Sequence, residues 1–125
     1  MKYLIIKKLD DSDSEVVQII VDRIHSIASA VQWQEVTNEK ECDVIIVVGG
    51  DGTMLYGMNK SVNTGSSVFG FNIGKIGYLA EFQPEKVEET IVKIVNGQFY
   101  IDYRTVLCER ASDVVAINEY SIAPV

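Results

Sequence analysis

The sequence predicts an α/β domain, a parallel sheet flanked by helices. Three observations point there. Short aliphatic runs alternate with segments whose apolar residues recur at helical spacing. One run, Val44 to Val48, is uniformly β-branched, the pattern of a strand buried on both faces. That run stops abruptly in Gly49-Gly50-Asp51-Gly52-Thr53, with a helical pattern directly after it.

Taken in order, Tyr3 to Ile6 is short, aliphatic and β-prone, a first strand. Asp10 to Ser14 supplies turn and N-cap chemistry. Val16, Val17, Ile20, Ile24, Ile27, Ala28 and Val31 then define a helical stripe, predicting a helix from Ser14 to Ala30. Gln32 to Val36 reads as a short strand and Thr37 to Asp43 as a polar connection. After Val44 to Val48 a short helix is expected over Thr53 to Lys60, with turn chemistry at Asn63 to Ser67. Val68 to Phe71 is the next strand, followed by the glycine-rich loop Asn72-Ile73-Gly74-Lys75-Ile76-Gly77-Tyr78. Pro84 suits the first turn of a helix whose stripe is Val87, Ile91, Ile94 and Val95, stopped by Asn96-Gly97. Phe99 to Cys108 and Asp113 to Ile122 read as two further strands with a turn at Glu109 to Ser112.

Composition narrows the function classes. At 125 residues the chain has the size of one domain. Hydrophobic residues are 47% and charged residues 23%, values of a globular chain and not of a disordered or fibrous one. No apolar run approaches the ~20 residues of a membrane span. Charge returns at Lys7-Lys8 after four apolar residues, so a signal peptide is not expected. Net charge is −7, from 11 basic against 18 acidic residues. That weighs against nucleic acid, which needs a basic footprint. It weighs less against nucleotides, because backbone N–H groups and helix N-termini can supply the positive potential. Cys42 and Cys108 form no CxxC pair, so no zinc or disulfide framework is readable and a reducing, cytoplasmic location is the expectation.

Gly49-Gly50-Asp51-Gly52-Thr53 carries the strongest chemical signal. Ligands of open α/β sheets bind at the carboxyl ends of strands. Glycines there permit positive φ and close approach of a ligand to the backbone. An aspartate inside an anion-friendly loop is a poor phosphate ligand. It suits a base, a metal ligand or an acceptor for a sugar hydroxyl; the plain alternative is a tight turn with Asp51 capping the helix. Neither a Walker A loop nor a dinucleotide fingerprint fits, since Ile76 follows Gly74-Lys75 and Leu55 stands where the third glycine would be. Gly74-Lys75-Ile76-Gly77-Tyr78-Leu79 is a second loop whose aromatic could stack on a ring, or else a turn with Tyr78 in the core. Asn118-Glu119 interrupts an apolar stretch. Neighbours on a strand point to opposite faces, so one of the pair would face inward, where a ribose diol is a suitable partner. The alternative is a solvated strand end. His25 and Trp33 read as helix-flank and packing residues.

These stretches, in this order, resemble the NAD kinase family: Val44 to Leu55 (VIIVVGGDGTML), Gly70 to Phe82 (GFNIGKIGYLAEF) and Ala116 to Ile122 (AINEYSI). A GGDGT loop alone also occurs in lipid kinases and phosphofructokinases; followed by GxxGYL and then NE it is specific. The resemblance implies a Rossmann-like parallel sheet and ATP-dependent phosphorylation of the 2′-hydroxyl of NAD's adenosine ribose, giving NADP. It implies that Asp51 is the catalytic base, that Gly50, Gly52 and Thr53 form a backbone cradle and that Gly49 belongs to the cofactor-binding residues. It implies that Leu55, Asn72, Gly74, Tyr78 and Leu79 line the nucleotide pocket and that Asn118 and Glu119 hydrogen-bond NAD. Magnesium would arrive on the nucleotide phosphates, with no metal ligand assigned to the protein.

The resemblance further implies small-molecule substrates, ATP and NAD, a homo-oligomer, and no nucleic-acid or membrane partner. It divides the chain into an α/β nucleotide-binding domain, residues 1–98, and the first strands of an incomplete β-rich domain, residues 99–125. The family's further Gly-Asp-Gly and Thr-Pro-x-Gly-Ser-Thr-Ala-Tyr segments do not occur before Val125. The trailing strands are therefore expected to present edges that invite pairing with another chain, and an alternative reading is a nucleotide-binding module that needs a partner chain.

Overall fold

The structure, a computed structural model, describes residues 1–7, 14–73, 82–102, 106–108, 115–117 and 121–124. Four strands form one parallel sheet: β1 (Lys2–Lys7), β2 (Gln34–Glu35), β3 (Val44–Gly49) and β4 (Ser67–Asn72), in the order β2-β1-β3-β4. β3 pairs with β1 from Tyr3↔Val44 to Lys7↔Val48, and with β4 from Val44↔Ser67 to Gly49↔Asn72. Among the described residues three α-helices flank the sheet: α1 (Ser14–Ala30), α2 (Asp51–Val62) and α3 (Val87–Val95).

The period-two alternation of β3 divides the core in two. Val44, Ile46 and Val48 meet α1 and α3, joined by Phe69, Phe71 and Phe82. Ile45 and Val47 meet Met54 and Met58 of α2 on the opposite face. Every residue of β3 is buried, as its β-branched composition predicts for a central parallel strand. Each such Val or Ile contributes roughly 1.5–3 kcal/mol by leaving water.

The helices follow their apolar spacing. α1 buries Val17, Ile20, Val21, Ile24 and Ala28. Val16, expected in that stripe, is 49% exposed, and so is Ile19 at 55%. α1 ends in a Schellman motif. Gln32 takes φ 64°, its N–H donates to Ser29 O at 3.1 Å, and Trp33 N–H donates to Ala28 O at 2.8 Å. These caps consume the start of the strand expected at Gln32 to Val36, so β2 is only Gln34–Glu35. The connection to β3 contains a single 3-10 turn, Glu39–Glu41, with Asn38 accepting from Lys40 N–H at 3.0 Å. With so little chain over that face of β1, a cavity of about 390 Å³ opens above Leu4 and Ile6, walled by Tyr56 and Lys60.

α2 begins at Asp51, two residues before the expected start, and runs to Val62. It buries Met54, Gly57, Met58 and Ser61. A Cβ on Gly57 would stand 2.6 Å from Val47 Cγ2, and one on Gly70 would stand 3.0 Å from Met54 Sδ. The helix therefore rides close to β3 and β4, and this fixes where its first turn lies.

The two strands expected after Asn96-Gly97 are described in part. β5 (Phe99–Asp102) pairs antiparallel with β8 (Ser121–Pro124), and β6 (Val106–Cys108) with β7 (Val115–Ile117). Phe99 opposes Pro124 and Val106 opposes Ile117, so seven residues forward on one side match seven back on the other. Both pairs thus keep the register of one hairpin. β8 lies beside β4 and α3, and β7 beside α2. The expected turn at Glu109 to Ser112 falls outside the described residues.

Candidate functional site at the carboxyl ends of β3 and β4

From β1 the chain moves outward to β2, then returns to place β3 on the other side. The crevice between β1 and β3 is therefore the sheet's topological switch point, where open α/β sheets bind ligands. Gly49-Gly50-Asp51-Gly52-Thr53 lies at that end of β3. Gly50 is the N-cap of α2, extended at φ −107° and ψ −162°, and its carbonyl accepts Met54 N–H at 2.9 Å. A glycine cap offers no side-chain acceptor of its own to the first N–H groups of the helix. With the positive end of the macrodipole, they form a surface suited to an anion.

The glycines divide by role, and positive φ is not the reason for any in this loop; among the described glycines only Gly65 and Gly97 adopt it. A Cβ on Gly49 would stand 2.7 Å from Thr53 Oγ1, so Gly49 is required by packing beneath Thr53. Among the described residues nothing lies within 4 Å of a Cβ placed on Gly50 or Gly52, so none of them demands glycine at either place. Their missing side chains leave open room at the helix N-terminus, where a bulky group can approach the backbone.

Asp51 is the first residue of α2, not its cap, and is half-buried. Leu55 follows four residues on and so lies on the same side of the helix. Leu55 is 40% exposed, an apolar surface beside a carboxylate. Tyr56 is also exposed, with Lys60 Nζ 5.3 Å from its ring centroid and 3.3 Å from Glu39 Oε2.

The second glycine segment starts against the first. Asn72 opposes Gly49 in the sheet register, and Ile73 N–H donates to Gly49 O at 3.1 Å. The chain comes back to the same point at Phe82, which forms a parallel bridge with Phe71. Asn72 N–H donates to Phe82 O at 3.0 Å and Phe82 N–H to Gly70 O at 3.2 Å. Phe69, Phe71 and Phe82 hold this junction with ring centroids 5.7–6.0 Å apart. Both ends of the segment are therefore pinned beside Gly49. Phe82 as an anchor has no sequence signal beyond an aromatic two residues before Pro84.

Gly49, Gly50, Asp51, Gly52, Thr53, Leu55 and Asn72 are thus gathered at one end of the sheet and along the first turns of α2. Gly74, Tyr78, Leu79, Asn118 and Glu119 lie outside the described residues, as does Lys75; the elements bracketing Asn118 and Glu119, β7 and β8, lie beside α2 and β4. His25 belongs elsewhere, its Nε2 3.0 Å from Glu35 Oε2 on the edge strand. Trp33 packs on Tyr3, with centroids 6.3 Å apart. Cys42 is buried, its Sγ 3.2 Å from Glu39 O and 3.3 Å from Ser66 Oγ. Among the described residues no three His, Cys, Asp or Glu side chains gather as a metal site, and no helix is long and apolar enough to cross a membrane.

The model of the ATP-NAD kinase N-terminal domain family matches residues 5–99. The chain belongs to that family. Among other members, an NAD kinase of Bacteroides fragilis is 37% identical over 70 residues, 56% of this chain and 24% of its own length. An NAD kinase of Shewanella halifaxensis is 35% identical over 92 residues, 68% of this chain and 30% of its own. The solved NAD kinase from Archaeoglobus fulgidus in complex with ATP superposes with a TM-score of 0.70 and 27% identity, covering 93% of this chain and 45% of that one. Yeast NADH kinase complexed with NADH shares the fold, with a TM-score of 0.62 at 16% identity over 98% of this chain and 46% of that one. The match thus spans about a quarter to a third of these curated NAD kinases and under half of the solved chains.

Proposed function

We propose that this NAD kinase N-terminal domain transfers the γ-phosphoryl group of ATP to the 2′-hydroxyl of NAD's adenosine ribose, giving NADP and ADP. The observation that carries the reading is the position of Asp51. A carboxylate stands in the first turn of α2, where the helix favours anions. A carboxylate beside the phosphate site is placed to accept the hydrogen of a sugar hydroxyl. Asp51 accepts the hydroxyl proton as the 2′-oxygen attacks the γ-phosphorus in line, and the bond from that phosphorus to the ADP oxygen breaks.

The remaining residues have assigned parts in this reading. The open backbone at Gly50 and Gly52 receives the phosphates, with Thr53 seated on Gly49 to fix the turn. Leu55 forms an apolar wall beside Asp51. Asn72, Gly74, Tyr78 and Leu79 belong to the nucleotide pocket, and Asn118 and Glu119 hydrogen-bond NAD. Magnesium, carried on the phosphates, offsets their charge. The site acts in a cytoplasmic homo-oligomer, with residues 99–125 serving as the entry to a second, β-rich region.

The test is formation of NADP from NAD, ATP and magnesium, read by an NADP-specific dehydrogenase. Asp51→Asn is expected to lower the rate by about 10²–10⁴-fold, the worth of a positioned base. Equal rates for the two chains contradict the role of Asp51.

A further inference from the structure

We infer that Arg23 is a positioning residue for the candidate site, holding from the flank of α1 the chain that returns from the second glycine segment. This rests on the site reading given above. Arg23 Nη1 donates to Pro84 O at 3.0 Å and Nη2 to Glu85 O at 3.1 Å. Nε donates to Glu88 Oε1 at 2.8 Å, and Nη2 also meets Glu88 Oε2. All three guanidinium nitrogens are engaged at once. Two of the acceptors are main-chain carbonyls of the 3-10 turn Pro84–Lys86, which leads into α3.

That distribution separates the role from ordinary helix pairing. α3 is already seated by Val87, Ile91 and Ile94, all buried against the sheet. A carboxylate alone would have satisfied a pair between the two helices. The carbonyl contacts act instead on the turn, and Pro84 is two residues past Phe82. Phe82 accepts the N–H of Asn72, and the next residue, Ile73, donates to Gly49 O. Arg23 is therefore linked to the Gly49–Asp51 turn through four short steps of backbone. Its own base is firm, because Val21, Ile24 and Ala28 around it on α1 are buried. A lysine cannot reproduce the contact set, since one ammonium lacks the planar fork that reaches a carboxylate and two carbonyls together.

Amide hydrogen exchange on the full chain tests the inference, paired with calorimetric titration of ATP and NAD. In R23M the amides of Asn72 and Phe82 should exchange about tenfold faster, while those of Ile24 and Ile91 keep their wild-type protection. Nucleotide affinity should fall by about tenfold, the usual scale of indirect coupling. R23K should be intermediate in both. E88Q removes the charge partner but spares both carbonyl contacts, so it should change exchange at Asn72 less than about twofold. Unchanged exchange at Asn72 and Phe82 in R23M overturns the inference, as does an E88Q effect equal to that of R23M. Should R23M fail to fold, R23K decides, and wild-type protection at Asn72 and Phe82 in R23K is then the contrary result. A wild-type chain that binds neither nucleotide removes the proposed function, while the exchange comparison still decides the role of Arg23.

Discussion

Ile73 donates its backbone N–H to the carbonyl of Gly49 at 3.1 Å. Through that bond the two glycine-rich segments, distant in sequence, leave the sheet from one place. Asp51 follows Gly49 by two residues and Asn72 precedes Ile73, so the candidate base and the start of the second segment share a single anchor. The Phe71–Phe82 bridge closes the other end of the segment onto the same spot. This corner is held together by main-chain bonds of the sheet ends more than by isolated side chains.

The glycines of the first segment should separate stability from binding. Gly49→Ala and Gly57→Ala place a Cβ 2.7 Å from Thr53 and 2.6 Å from Val47. Each should lower stability by about 1–3 kcal/mol, the usual result of overpacking. Gly50→Ala and Gly52→Ala meet open space, so their urea midpoints should stay near wild type. Their effect should appear as weaker nucleotide binding by calorimetry. Equal destabilisation by all four would mean that the loop's openness has no role in ligand approach.

Gln32 holds a left-handed conformation at the C′ position of α1, where glycine carries no steric penalty. Gln32→Gly removes strain of about 1 kcal/mol, partly offset by the greater freedom of glycine in the unfolded chain. A net gain of a few tenths to about 1 kcal/mol is expected, visible as a higher midpoint in thermal unfolding. A lower midpoint would show that the Gln32 side chain contributes more than its backbone costs.

Acid should weaken the tie between α1 and α3. Hydrogen bonds from Arg23 hold the Glu88 carboxyl below its usual range. The stabilisation is complete above the ordinary glutamate value, near about pH 4.3, and is lost as pH falls through the lower folded-state value. Both side chains are partly exposed, at 35% and 47%, so the amount is below about 1 kcal/mol. The gap in urea midpoint between wild type and E88Q should therefore close between about pH 5 and pH 3. A gap that persists at the acid end would assign the effect to packing and not to charge.

Much of the fold was legible because local spacing and global burial agree. The alternation of Val44 to Val48, the i, i+3, i+4 pattern of α1 and the Pro84 and Asn96-Gly97 boundaries of α3 each have a purely local cause. The start of α2 was misplaced because Gly50 and Gly52 suggest loop, whereas Gly50 acts as the cap and Asp51 opens the helix at once. Val16 was misread because its apolar character outweighed its place at a helix flank, and Gln32 because a left-handed cap residue is signalled by glycine or asparagine and not by glutamine. Family-specific residues pointed to the Asp51 turn and Asn72. The clamp on Pro84, Glu85 and Glu88 was invisible, because Arg23 reaches across 61 to 65 residues of sequence to find it. The bond between Ile73 and Gly49 was hidden for the same reason, since it exists only after β3 and β4 have paired.

The proposed function stands or falls on phosphate binding at the first turn of α2. Amide chemical shifts of the ¹⁵N-labelled chain, recorded during titration with ATP, read that binding residue by residue. Saturable changes are expected to be largest at Gly50, Gly52, Thr53 and Ile73, with smaller ones along β1 and α1. Saturable binding that leaves those four amides unmoved, or no binding at all, would contradict it.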